Sequence, residues 1–129
     1  MPAAGDRRTQ GQLMALIYKI ASAAEWREAV RRGSYHGSPD DLRDGFIHFS
    51  TAAQVAETAG KHFTGRDDLM LIAVEAEPLG SALKWEPSRG GSLFPHLYAN
   101  LPVAAAKWVR PLQLDASGRH VFPLLGNGG

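Results

Sequence analysis

The sequence contains no cysteine. That excludes a disulfide framework, a thiolate nucleophile, and zinc-finger or iron–sulfur ligation, since each needs sulfur. Net charge is nearly absent as well: 14 Lys and Arg against 13 Asp and Glu leave a formal +1. Nucleic-acid binding draws on a surplus of Lys and Arg to displace condensed counterions, so no nucleic-acid partner is expected. Long apolar runs are missing too. Arg7 and Arg8 ahead of Leu13-Met14-Ala15-Leu16-Ile17 look superficially like an export signal. Lys19 ends that run at about half the span of a signal core, and nothing approaches the ~20 apolar residues of a membrane helix. We therefore expect a cytoplasmic protein with no membrane partner. There is no G-x-S-x-G elbow, no G-x-G-x-x-G and no G-x-x-x-x-G-K-[ST] loop, which argues against a serine hydrolase and a Rossmann or P-loop nucleotide site. No compact ligand spacing such as H-E-x-x-H joins His36, His48, Glu86 and His96, so no metal site is expected.

What is present is an ordinary globular composition, 44% hydrophobic over 129 residues. A chain of this length forms one core and buries roughly two-thirds of the surface its unfolded form exposes. The reading is a polar extension over 1–13, one domain over 14–125 and a Gly-rich tail over 126–129. The organised pattern starts at Met14, which makes Met14 a candidate initiator. The run 14–20 reads as a buried strand. Ser22 and Glu25 have capping-box spacing for a helix with Ala23, Trp26, Ala29 and Val30 on one face, ended by Gly33. Ser38-Pro39-Asp40-Asp41 predicts one short helical turn. Phe46 to Ser50 predicts a strand with Phe46, His48 and Ser50 on one face and Ile47 and Phe49 in the core. Thr51 and Gln54 repeat the capping-box spacing ahead of a helix to about Phe63 with Val55, Ala59 and Phe63 buried. The run 69–74 predicts a central strand and 82–86 a shorter one. The segment 87–92 reads as a flexible loop, and Pro95 confines 94–98 to an edge strand or extended loop. The segments 108–114 and 119–122 predict a terminal hairpin. Strands outnumber helices and the two main helices sit in the first half, so the fold class is α+β.

Chemistry must then come from carboxylate, imidazole and hydroxyl groups. His48 and Ser50 share a strand face just ahead of a helix start, where Ser50, Thr51 and the first amides suit an anion. Glu86 follows Trp85, and desolvation beside an indole raises a carboxyl pKa, the property of a catalytic acid or base. His96 and Tyr98 at i, i+2 face the same way in an extended segment, a polar contact beside a stacking platform. Lys19 and Arg89 are the local cations for a small anionic ligand. The plainer alternative throughout is a helix cap, a solvated glutamate and a packed aromatic beside a satisfied histidine.

Ile17-Tyr18-Lys19-Ile20, Trp26, the Gly45-Phe46-Ile47-His48-Phe49-Ser50 block with Gln54, Asp68-Leu69, Trp85-Glu86 and Phe94-Pro95-His96-Leu97-Tyr98 together resemble the small bacterial family catalogued as domain of unknown function 952. The resemblance covers about 15–123. It implies an ADP-ribosyltransferase-like fold, an α+β domain with two main helices and a mixed, largely antiparallel split sheet that grips NAD, and so makes NAD a candidate cofactor. By that resemblance Phe46 to Thr51 would line the nicotinamide pocket, with His48 and Ser50 directed inward, and Gln54 is a further ligand-binding candidate. Glu86 would be the counterpart of the catalytic glutamate, His48 and His96 are the other catalytic candidates, and Tyr98 or Tyr35 would stack on the base. Two departures stand out: Lys19 replaces a more usual His, and Tyr98-Ala99-Asn100 replaces Tyr-Gly-Pro. The implied function is binding of NAD or another nucleotide-like anion with reaction at a ribosyl bond. The alternative is a non-catalytic ligand-sensing or protein-interaction module on the same fold.

Overall fold

A computed structural model describes residues 15–88 and 90–125. In chain order the elements are β1 (Leu16–Ser22), α1 (Ala23–Arg32), β2 (Ser34–Tyr35), α2 (Pro39–Asp44), β3 (Ile47–His48), α3 (Val55–His62), β4 (Leu69–Glu75), a 3₁₀ segment (Glu77–Ala82), β5 (Leu83–Ser88), β6 (Ser92–Leu97), β7 (Leu101–Pro102), a second 3₁₀ turn (Val103–Ala105), β8 (Ala106–Leu114) and β9 (His120–Val121). The strands form three sheets, ordered β1-β4-β8-β9, β2-β7 and β3-β6-β5. Every strand pair among the described residues is antiparallel, so the expected antiparallel character holds and none of the three sheets is mixed. Part of the reason is local, since β5 to β6 and β8 to β9 are joined by turns too short for a parallel crossover. No helix among the described residues is long and apolar enough to cross a membrane.

Strand alternation builds two cores from one sheet. On β1 and β4, Ile17, Ala21, Ile72 and Val74 face one way, toward Trp26, Tyr35, Phe49 and Leu97. Tyr18, Ile20, Leu69, Leu71 and Ala73 face the other, toward Val55, Ala59 and Leu112. This is the period-two signature of a sheet buried on both faces. Lys19 lies between Ile17 and Ala21 and is itself only 4% exposed, so an ammonium is carried into the first core.

The helices follow their caps. Ser22 Oγ accepts from the Glu25 amide at 3.0 Å, and Gly33 closes α1 with φ 88°. Val30, expected on the buried face of α1, is exposed, leaving Trp26 and Ala29 as its buried residues. Ser38 and Asp41 form a full capping box around the predicted turn α2. Half of the second expected box forms: Gln54 Oε1 accepts from the Thr51 amide at 3.0 Å, but regular helix begins only at Val55.

Two expectations about the second half change. Pro87, Ser88 and Ser92, expected in a flexible loop, are strand residues, with Pro87 opposite Leu93 and Ser88 opposite Ser92. β6 with Pro95 is central rather than an edge, lying between β3 and β5. Proline is tolerated there because β3 pairs only through Ile47–Leu97 and His48–His96. Beyond that point one bond continues, Phe49 N–H to Pro95 O at 2.9 Å, and it needs no proline donor.

Candidate functional site

A cleft of about 230 Å³ opens where α2, the 48–50 segment, α3 and β6 meet β1. A two-bond bridge between Tyr18 and Ser50, at 2.8 and 2.9 Å, ties the first sheet to the segment after β3 and sets Lys19 beside the products of α2. The wall includes Lys19, Asp41, His48, Ser50, Thr58 and His96.

Asp41 is the hub. Its Oδ2 lies 2.7 Å from Lys19 Nζ and accepts from the Ser38 amide at 2.9 Å. Its Oδ1 meets His48 Nδ1 at 2.6 Å and accepts from the His48 amide at 3.1 Å. Burial is the largest influence on its pKa and acts to raise it. The His48 hydrogen bond, the Lys19 charge and hydrogen bond, and the Ser38 amide together outweigh burial and hold the carboxyl well below the usual carboxylate range. Burial pushes the Lys19 ammonium down, with Asp41 opposing it. Sequence reasoning read Asp41 only as the start of a helix. The signal that it is more was the Ser-Pro-Asp-Asp turn next to a strand carrying a lysine between core residues.

His48 Nε2 lies 3.0 Å from Asp44 Oδ2, so both ring nitrogens face carboxylate oxygens. An imidazole donates from both only when doubly protonated, so this geometry suits an imidazolium. His48 sits opposite His96 in the strand register, and their rings meet edge-on at 5.6 Å. Phe46 stacks on His96 at 4.0 Å and leans on His48 and Tyr98 at 4.6 and 5.2 Å. Phe46 and His48 thus share a face, and His48 and Ser50 both reach the cleft wall.

His96 is 5% exposed, and its Nδ1 lies 2.7 Å from Glu86 Oε1. The same oxygen accepts from the Tyr98 hydroxyl at 2.8 Å. The His96 and Tyr98 hydrogen bonds lower the Glu86 pKa, contrary to the expected rise. The reason is alternation: successive strand residues point to opposite faces, so Trp85 turns away from Glu86 and stays 43% exposed. With Glu86 ionised, the neutral His96 ring carries its proton on Nδ1, and Nε2 is an acceptor with no hydrogen-bond partner among the described residues.

The remaining expected site residues separate. Ser50 is in the wall, its Oγ 3.0 Å from Thr58 Oγ1. Glu86 is absent from the wall and touches it through its bond to His96. Tyr98 lies on a neighbouring hollow with Phe46, Asn100 and His36. Tyr35 is 2% exposed in the first core, 5.9 Å from the Trp26 ring, and cannot stack on a ligand. Thr51 and Gln54 are outside the wall: the Thr51 amide is taken by Gln54, whose Nε2 donates to Leu93 O at 2.8 Å, so the expected anion cradle is partly filled from within. Arg89 lies outside the described residues. No group of three His, Asp or Glu among the described residues is arranged to hold a metal ion.

The fold has close counterparts among solved structures. The crystal structure of protein CC0527 from Caulobacter crescentus is 55% identical, with 82% of this chain and 93% of that chain covered and a TM-score of 0.80. The solution NMR structure of CC0527 is 56% identical over 81% of this chain and 90% of that chain, with a TM-score of 0.74. No curated protein matches. The family described as "Protein of unknown function (DUF952)" matches residues 20–109, which include the end of β1, α2, both histidine strands and Glu86, and the chain belongs to that family.

Proposed function

We propose that the cleft binds a small nucleotide-like ligand and carries out acid–base chemistry on it at a ribosyl carbon. One observation carries the reading: an imidazole whose Nδ1 is fixed by a carboxylate while its Nε2 is left without a partner beside a polar cleft. That is the arrangement of a general base, with the carboxylate setting the tautomer and stabilising the imidazolium that forms. In ribosyl hydrolysis His96 Nε2 takes a proton from water. The water oxygen bonds to the anomeric carbon, and the leaving group departs with the bonding electron pair.

The dimensions bear on NAD. Sites for drug-sized ligands span roughly 300–1,000 Å³, so about 230 Å³ suits a nucleoside or sugar phosphate better than a whole dinucleotide. The ADP-ribosyltransferase-like reading enters here only as an analogy for ribosyl chemistry. A phosphate group would meet Arg43 at the rim, whose guanidinium is already shared between Asp40 and Asp44. A cytoplasmic location, where such metabolites are abundant, fits the reading.

The test is ligand-observed NMR and thermal shift against NAD, ADP-ribose, nucleosides and sugar phosphates, with product analysis for each binder, on the wild type and His96→Gln. Binding with turnover in the wild type and binding without turnover in H96Q is the expected result. Binding with no product in either protein would favour ligand sensing without catalysis, and no binding at millimolar concentration would overturn the reading.

A further inference from the structure

We infer that His48 is the acid of this site, its imidazolium delivering the Nε2 proton to the leaving group while His96 works as the base. The inference rests on the ribosyl reading of the cleft and adds the residue that protonates what departs.

The acceptors around His48 fix its protons. Although burial opposes it, Asp41 is held ionised by its bonds to His48 and Lys19, so its Oδ1 only accepts and His48 Nδ1, 2.6 Å away, donates. On the other side of the ring Nε2 lies 3.0 Å from Asp44 Oδ2, and the second oxygen of that carboxylate takes Arg43 Nε at 3.2 Å. A ring that meets an acceptor at each nitrogen carries two protons and a positive charge. His96 meets a single carboxylate, at Nδ1. The two rings stand opposite each other in the strand register, 5.6 Å between centroids, so a charged imidazole lies beside the one assigned as base.

The two protons of His48 differ in what holds them. Asp41 is 2% exposed and is tied to Lys19 and the Ser38 amide as well, so the Nδ1 proton is fixed. Asp44 is the last residue of α2, and this contact joins side chains 38% and 35% exposed in the cleft wall. A leaving group that enters there takes the place of Asp44 at Nε2. The Nε2 proton passes to the leaving nitrogen as its bond to the anomeric carbon breaks and the electron pair goes to nitrogen. The water oxygen bonds to that carbon and gives its proton to His96. His48 is left neutral with Nδ1–H still on Asp41, and it regains the Nε2 proton from solvent. Asp44 is a positioning residue that keeps the ring charged between turnovers.

The test compares two probes, inosine and p-nitrophenyl β-ribofuranoside, on the wild type, His48→Gln and Asp44→Asn. A purine needs a proton to depart, whereas nitrophenolate leaves as the anion. We expect H48Q to lose about 100-fold or more in turnover of inosine, the usual share of a general acid, and to stay within about threefold of the wild type on the nitrophenyl riboside. D44N should lose a smaller factor, on inosine alone. Parallel losses on both probes, or no loss on either, overturn the inference and leave the ribosyl reading standing. A wild type that cleaves only the nitrophenyl riboside has no acid to offer and overturns the inference too, and one that cleaves neither probe overturns it together with that reading. Should H48Q not fold, D44N, whose carboxylate is partly exposed and outside the buried Lys19–Asp41 pair, decides by the same comparison.

Discussion

The Lys19 ammonium lies 2.7 Å from the Asp41 carboxylate, with side-chain exposures of 5% and 2%. A lysine at that point of β1 would otherwise leave a bare charge between Ile17 and Ala21 in the first core. The short helix α2 exists in part to bring it a counter-ion.

Removing one member of this pair is therefore expected to be severe. Asp41→Asn leaves a buried, unpaired ammonium and strips His48 of its carboxylate partner, a change that costs about 3–5 kcal/mol for buried pairs. Urea unfolding of D41N, K19M and the double variant measures it. The double variant should be more stable than D41N, and strict additivity of the two losses would argue against direct coupling.

Acid should act through the same carboxylate. The unfolded chain protonates Asp41 near the ordinary value of about 3.9, whereas the folded protein keeps it ionised well below that. In that interval the unfolded state binds more protons. The stability contributed by Asp41 is thus complete above the ordinary carboxylate range and is lost as pH falls through it toward the folded value. Stability of the wild type measured from pH 6 to pH 2 should drop more steeply than that of D41N.

Gly37 has φ 115°, and a Cβ built there would lie 2.8 Å from Asp41 Cβ. Gly37→Ala combines a left-handed strain with a clash against the hub, so we expect a loss of about 1–3 kcal/mol. The same variant should shift the His48 ring resonances. Loss of stability with unmoved His48 resonances would show that the strain does not reach Asp41.

Tyr35 carries the opposite expectation. Its hydroxyl is buried with no hydrogen-bond partner, and burial raises its pKa strongly. Replacing it with Phe removes an unsatisfied polar atom and keeps the ring against Trp26. Y35F should be neutral or more stable by about 1 kcal/mol; a clear loss on thermal unfolding would mean that the hydroxyl holds a buried water.

At the other dyad, Glu86→Gln should change the ¹⁵N shifts of the His96 ring, because the carboxylate that fixes its tautomer is gone. It should also let the Tyr98 phenol, held above its ordinary pKa chiefly by the Glu86 hydrogen bond, titrate at lower pH. An unchanged His96 tautomer in a folded E86Q would remove Glu86 from the site.

Legibility followed periodicity. Strand alternation identified Ile47 and Phe49 as core and put His48 and Ser50 together, and Ser38 with Pro39 announced α2, because these are local rules of the backbone. The pairing of Glu86 with His96 rather than with Trp85 is a matter of which strand lies alongside, and no local rule contains it. Tyr35 failed as a stacking residue for the same reason: one aromatic looks like another until the chain beyond it packs. Asp41 was named only as a cap residue, since a carboxylate at N3 serves the helix whatever else it reaches.

The narrow join between β3 and β6 has a mechanical consequence. Two residue pairs and one further bond to Pro95 hold it, against seven pairs between β1 and β4. Of these two joins it should unzip first on thermal fluctuation, and its amides should exchange with solvent sooner than those of the long ladder. His48 and His96 face each other across it. The spacing of the two imidazoles is thus governed by the weaker of the two seams, and a molecule that bridges them would act as the missing rungs.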